Sequence, residues 1–197
     1  VESGIIIRSA DINDYQSLAK LYEALLLDSS KYDPYSVPDS KFDAEKLLKI
    51  MLENGKHKFL VAQDKDRLVG FYQVNIFYGG QLVQLEPSAI DRGLRRLKPL
   101  RVIAKVLRTT LGWIEPKVQP PPVFKDFTTG YMANSYVLPE YRGKGIYSQF
   151  AAAALDWFKE NQIKAVYFYV YKENRIVVDF WEKQGFKPIR LIMRKEI

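Results

Sequence analysis

Tyr136-Val137-Leu138-Pro139-Glu140-Tyr141-Arg142-Gly143-Lys144-Gly145-Ile146-Tyr147 reads as a strand that stops at a proline, turns through two glycines and enters a helix. A helix that starts this way leaves several N–H groups without acceptors. Its aligned peptide dipoles add about half a positive charge, so the start favours an anion. Arg142 and Lys144 sharpen that reading. A cation at a helix N-terminus costs a few tenths to about 1 kcal/mol, and two of them make sense where a negative ligand compensates. Glu140 is the rival source of compensation. Gly143 and Gly145 let main-chain N–H groups approach a diphosphate with no Cβ between. The spacing is neither GxxxxGK(S/T) nor GxGxxG. The segment is therefore a phosphate cradle of another kind, or an ordinary strand-to-helix turn.

Outward from the turn, the C-terminal 68 residues alternate strand and helix. The pattern predicts a strand over Gly130–Leu138, a helix from about Gly145 to Asn161, a strand over Ala165–Tyr171, a helix over Asn174–Gln184 and a final strand pair after Gly185-Phe186. Toward the N-terminus, Gly4–Arg8 is a short apolar strand. Asp11 or Asn13 then caps a helix whose inner face is Tyr15, Leu18, Leu21, Tyr22 and Leu25. A second helix runs from about Ser40 to Glu53, and strands at 58–63 and 68–78 flank the polar turn Asp64-Lys65-Asp66-Arg67. The order βααββ-insertion-βαβαββ predicts an α/β (α+β) fold with helices on both faces of the sheet.

The interruption falls at about 80–127, where helical periodicity, Pro120-Pro121-Pro122 and a dense basic cluster replace the strand pattern. About 45 residues are too few for a core of their own, so residues 1–197 are expected to form one domain with a basic helical insertion. Arg92, Arg95, Arg96, Lys98, Arg101, Lys105 and Arg108 face a single acid, Asp91, across this stretch, and they hold most of the formal charge of +7. Leu100, Ile103, Leu107 and Leu111 share one helical face. A lid with a solvated basic side, a nucleic-acid contact and an anionic surface contact all fit such a helix. Between Asp91 and Pro122 Trp113 is the only aromatic ring, which speaks against stacking on single-stranded RNA.

Composition narrows the chemistry. Hydrophobic residues make up 47% of the 197 residues and aromatics 14%, enough for a substantial core. The absence of cysteine excludes disulfides, thiolate metal sites and an acyl-cysteine intermediate. The single histidine, His57, lies between a helical and a strand pattern and reads as a solvated loop side chain. No apolar run reaches the eighteen or so residues of a membrane span, and no basic-then-apolar signal opens the chain, so a cytoplasmic protein is expected.

Val137-Leu138-Pro139-Glu140-Tyr141-Arg142-Gly143-Lys144-Gly145-Ile146 resembles the acetyl-CoA motif of the GNAT superfamily, Arg/Gln-x-x-Gly-x-Gly/Ala after a V-x-P strand end. Asn174-Arg175-Ile176-Val177, followed by Phe180-Trp181-Glu182-Lys183-Gln184-Gly185-Phe186, is similar to the superfamily's N-x-x-A-x-x-(F/L)-Y-e-k-x-G-F segment. The resemblance covers the chain outside the insertion. It implies a GNAT-like, mostly antiparallel sheet and an N-acetyltransferase that moves an acetyl group from acetyl-CoA to an amine in a ternary complex. It places the cofactor on Ser135, Val137 and Leu138, on Arg142, Gly143, Lys144, Gly145, Ile146 and Tyr147, and on Asn174 and Trp181. Main chain near Ser135 and Val137 would pair with the pantetheine arm in the gap between two splayed strands, and the Val137 N–H would hold the oxyanion.

Two positions depart from the pattern. Tyr147 stands where the superfamily has glycine or alanine, which crowds the helix start. Trp181 stands where a tyrosine is frequent, one that in many members protonates the departing thiolate. An indole N–H has no usable acidity near neutral pH. Tyr171, at the end of the Tyr167, Tyr169, Tyr171 alternation, is then the candidate acid, set against the reading of all three as sheet aromatics. Asp126 is the base candidate, with Asn134 or Ser135 acting through water as alternatives. Asn174 either caps its helix or caps it and reaches the cofactor as well. Asp28, Asp33 and Asp39 are carboxylates that could receive an amine-bearing acceptor. A non-catalytic acyl-CoA-binding or partner-docking module is the competing function, and a homodimer is an open assembly.

Overall fold

Phe59 and Val61 face one side of an extended segment and Leu60 and Ala62 the other, and all four are buried. A strand apolar on both faces must lie between two layers. The computed structural model, which describes residues 4–33, 35–55, 57–77, 128–190 and 192–195, places it there. Its elements are β1 (Ile5–Ser9), α1 (Tyr15–Ser29), α2 (Ala44–Glu53), β2 (Lys58–Asp64), β3 (Arg67–Phe77), β4 (Thr129–Val137), α3 (Ile146–Glu160), β5 (Val166–Tyr167) and α4 (Arg175–Lys183). The basic insertion expected at about 80–127, with Asp126 inside it, lies outside the described residues.

The sheet runs β1-β2-β3-β4-β5. β1 with β2 and β2 with β3 are antiparallel, and β4 with β5 is parallel. Leu138 N–H donates to Val69 O at 2.9 Å and Asn134 bonds Gln73, so β4 runs antiparallel to β3. Leu18, Leu21 and Tyr22 of α1 and Leu48 of α2 pack on Phe59, Val61 and Phe71. On the opposite face Ile146, Phe150, Ala154 and Phe158 of α3 and Trp181 of α4 pack on Leu60, Ala62, Tyr72 and Met132. Offsets of three and four along each helix supply these faces. Burying a residue of this size contributes about 1.5–3 kcal/mol.

Two irregularities shape the sheet. In the β2/β3 ladder Ala62 pairs with Gly70 and Gln63 with Leu68, which leaves Val69 as a one-residue bulge. In β4, Gly130 and Met132 face α3, whereas Asn134 bonds Tyr22 of α1 and Tyr136 joins the α1 cluster. Val137 is back under α3. Alternation therefore reverses between Met132 and Asn134, and Ser135 and Val137 share the α3 side.

Local chemistry moves some boundaries. Asp11 heads a short 3₁₀ turn, Ile12–Asp14, in a capping box with Asp14, whose carboxylate takes both Arg8 guanidinium nitrogens at 2.7 and 2.8 Å. The second helix starts at Ala44 rather than near Ser40. Asp43 is the residue that caps it, by accepting from Lys46 N–H at 2.9 Å, and Asp39 closes a separate turn on Lys41 N–H. The strand expected over Ala165–Tyr171 keeps only Val166–Tyr167. The strand pair expected after Phe186 is absent from the described residues there. Pro188 has no N–H to give, and a two-residue β5 offers almost no edge to pair with. None of the helices among the described residues is long and apolar enough to cross a membrane.

Gly130 is the point of closest approach between sheet and helix: a Cβ there would lie 2.6 Å from Phe158 Cε1 and 2.7 Å from Cδ1. Phe158 is itself buried and has nowhere to retreat. Gly130→Ala is expected to lower the stability by about 1–3 kcal/mol, seen as a lower urea midpoint at unchanged slope.

Candidate active site

The glycine turn takes its shape from backbone conformation. After Val137 the chain makes a short 3₁₀ turn, Pro139–Tyr141, then passes through Gly143 at φ 75° and Gly145 at φ 77° before α3 begins. Any other residue would be strained at both. A Cβ built on either meets nothing within 4 Å, so the need for glycine here is conformational and the space above the turn is open. No side chain caps α3. Among the described residues the N–H groups of 143–148 have no acceptor.

The charged side chains of the turn are arranged around it. Glu140 pairs with Arg67 at 3.2 Å and does not offset the helix start. Arg142 turns back: Nε donates to Val137 O at 3.0 Å, Nη2 reaches Asp28 at 3.2 Å, and the guanidinium lies 5.4 Å from the Tyr136 ring centre. Lys144 Nζ sits 4.6 Å over the Tyr141 ring, whose hydroxyl donates to Asp64 at 2.8 Å.

Beside the turn, the sheet opens. β4 and β5 pair only at Gly130↔Val166 and Tyr131↔Tyr167, and beyond Tyr131 the ladder stops. Since Leu138 points its main chain at β3, the N–H and C=O of Val137 and Ser135 face the opposite way, into the side β5 has left. The bond from Arg142 to Val137 O fits that direction.

Tyr147 and Trp181 meet across 34 positions of sequence. Trp181 Nε1 donates to Tyr147 Oη at 3.0 Å, and the rings stand 6.0 Å apart at 70°. Trp181 is 2% exposed, enclosed by Phe168, Phe180 and Phe186. Burial raises the Tyr147 phenol pKa, while hydrogen bonding with Trp181, Ser135 and Tyr72 draws it back. Tyr72, buried more deeply and bonded to Tyr147, is raised well above its ordinary value. Asn174 occupies the N-cap position of α4, where its carbonyl accepts from Val177 and Val178 N–H. Its side chain makes no capping bond, which removes the capping reading of that amide.

Residues 100–186 match the Acetyltransferase (GNAT) family. The match starts within the segment assigned to the insertion and ends at Phe186. A curated relative, the uncharacterized N-acetyltransferase YobR of Bacillus subtilis (strain 168), is 37% identical over 60 residues, 30% of this chain and 24% of that protein. The aligned part thus spans about a quarter of that relative. Among solved structures, a tetramutant of BH1408 from Bacillus halodurans superposes with TM-score 0.67 at 16% identity, over 98% of this chain and 99% of that one. The aminoglycoside N-acetyltransferase AAC(6')-Iy, solved with CoA, gives 0.62 at 15% identity, over 100% and 97%. Over residues 100–186 the chain is similar to GNAT acetyltransferases, and its fold is GNAT-like.

Within this GNAT-like fold the expected acceptor-side residues separate from the turn. Tyr171 stacks on Tyr32 at 5.5 Å, and its hydroxyl lies 3.4 Å from Ser36 Oγ. It belongs with the loop after α1 and is not brought to Trp181. Of the three carboxylates, Asp28 holds Lys31 and Arg142, which lower its pKa, Lys31 foremost. Asp33 holds Arg194 at 2.8 Å and the Tyr35 N–H, and Asp39 holds a turn.

His57 corrects its sequence reading. Its Nδ1 is 3.0 Å from Asn75 Oδ1 and 3.1 Å from Gln73 Nε2, so it is anchored to β3. Gln73 Oε1 in turn accepts from Asn134 Nδ2 at 2.9 Å, and that amide reaches Tyr22 Oη at 3.2 Å. Asn134 is thus a strut between β4, β3 and α1. The signal for this network was present as Gln73 and Asn75, two amides in an otherwise apolar strand. Asn134→Ala is expected to cost about 1–3 kcal/mol by stripping the buried Gln73 carbonyl of its donor. Equilibrium unfolding checks it, with Asn134→Asp separating lost bonding from lost volume.

Proposed function

We propose that the chain is an acetyl-CoA-dependent N-acetyltransferase acting by direct attack of an amine in a ternary complex. The observation that carries this reading is the ladder that ends at Tyr131 beside a glycine turn whose amides lack acceptors among the described residues. The neighbours solved with CoA or with acetyl-CoA support the choice of cosubstrate, and the family match supports acyl transfer.

The residues present fit such a ligand. The amides of Gly143 to Ser148 supply donors for a diphosphate, with Lys144 and a swung-out Arg142 neutralising it. Ile146 and Tyr147 shape the wall below. The outward main chain of Ser135 and Val137, continued by Leu138, offers the hydrogen bonds an added strand would take. Asn174, whose side-chain amide makes no capping bond, is the further residue assigned to the cofactor. Bound there, the thioester supplies an activated acyl carbon. The Val137 N–H then stabilises the charge that gathers on the acyl oxygen, and no acyl-enzyme forms. Tyr171, Tyr32 and the loop after α1 form the acceptor end. A free amine loses its proton to solvent, and Asp126 is the carboxylate assigned to assist.

Trp181 in place of a tyrosine favours a second reading, a module that binds acyl-CoA without turnover. Thiol release from acetyl-CoA with a panel of amines, an aminoglycoside among them, separates the two: a pure binder releases CoA at the background rate.

Arg142→Glu combined with Lys144→Glu is expected to weaken CoA binding by more than about a hundredfold, since two favourable charges at the diphosphate become repulsive. Titration calorimetry measures it, and far-ultraviolet circular dichroism verifies the fold. In the wild type the melting temperature should climb with the logarithm of CoA concentration. Unchanged affinity in the double variant would remove the diphosphate from this turn.

A further inference from the structure

The Trp181–Tyr147 contact assigns a proton. An indole N–H can only donate, so in the 3.0 Å bond between them the Tyr147 oxygen must be the acceptor. The phenolic hydrogen of Tyr147 is therefore left to point elsewhere. Ser135, on the β4 segment that faces the opening, is among its hydrogen-bond partners. Tyr72, Ser135 and Trp181 surround one oxygen from β3, β4 and α4, and of these only Tyr72 can titrate. Tyr72 is the more deeply buried phenol, which raises it further, so it keeps its proton. The same three donors hold the ionised form of Tyr147.

We propose that Tyr147 is the proton donor to the departing sulfur and that Trp181 is its positioning residue; this rests on the transferase reading above. In the step, the acceptor nitrogen bonds to the acyl carbon and the C–S bond breaks, with its electron pair remaining on sulfur. Tyr147 gives its phenolic proton to that sulfur. The nitrogen releases one proton to water, and Tyr147 regains one from water, so the balance closes without another reactant. This moves the acid from Tyr171, whose hydroxyl is taken to Ser36 and the loop after α1, to a hydroxyl at the first turn of α3, between the glycine turn and β4.

The test compares Tyr147→Phe, Trp181→Phe and Tyr171→Phe with the wild type. Calorimetry with CoA comes first: absence of binding by the wild type overturns the transferase reading itself. Given binding, Tyr147→Phe is expected to hold CoA within about threefold of wild type while kcat drops about a hundredfold, the usual worth of a general acid. Its kcat profile should lose the alkaline limb. Trp181→Phe takes away a donor to the phenolate, so the limb should move to higher pH with a smaller loss of kcat. Independently of turnover, the 13Cζ resonance of Tyr147 in the free protein should titrate before that of Tyr72, and later in Trp181→Phe. Wild-type kcat and limb in a folded Tyr147→Phe, or loss of the limb in Tyr171→Phe alone, would overturn the assignment. Tighter CoA binding with intact turnover in Tyr147→Gly would mark Tyr147 as a mere plug and overturn it equally.

Discussion

The parallel ladder between β4 and β5 lasts two residue pairs, and its end governs what surrounds it. Main-chain groups inside a protein need partners. Where β5 turns away after Tyr167, the outward N–H and C=O of Ser135 and Val137 are left facing an opening. One of them, the Val137 carbonyl, is answered by Arg142 from the same glycine turn. The side chain that closes the free edge thus also belongs to the helix start where an anion is favoured, so engaging an anion there with Arg142 would release the strand edge at the same time.

The reversal of alternation in β4 then divides the chemistry by face. Had the strand alternated strictly from Gly130 to Val137, Ser135 and Val137 would have pointed their side chains at α1 and α2. Instead they lie under α3, and Asn134 and Tyr136 take the α1 side. Hydroxyls able to exchange protons, Tyr147, Tyr72 and Ser135, collect on one face of the strand. Amides that can only hold a shape, Gln73 and Asn134, collect on the other with His57 and Tyr22. The buried amide network fixes the register of β3 against β4, and that register aims the Val137 N–H.

Features decided within a few residues were legible in the sequence. The glycine turn, the apolar faces of the helices and the chain order of the described elements through α4 follow from local conformation and periodicity. Periodicity alone does not fix the start of α2, because two acids, Asp39 and Asp43, both make turn bonds and only the second caps a helix. Features decided by tertiary partners were not legible. Periodicity puts Tyr171 in a long strand, yet β5 ends at Tyr167 and Tyr171 falls to the Tyr32 ring on the loop after α1. His57 looked like a solvated loop residue because nothing local reveals that two amides of β3 come to meet it.

Trp181 shows the same limit at the site itself. Taken by its position alone, an indole in place of a phenol deletes an acid. Taken with Tyr147, it supplies what a second phenol could not: a donor with no capacity to accept, which fixes the direction of the bond between them. Two facing tyrosines could each donate to the other, and the shared proton would sit on either oxygen. The indole removes that degeneracy. Glycine or alanine at position 147 would leave the indole N–H, 2% exposed as a residue, without its acceptor, at a cost of about 1–3 kcal/mol for a buried orphaned donor. The two departures from the superfamily pattern are therefore coupled by one hydrogen bond, and neither residue's role follows from its own position in the motif.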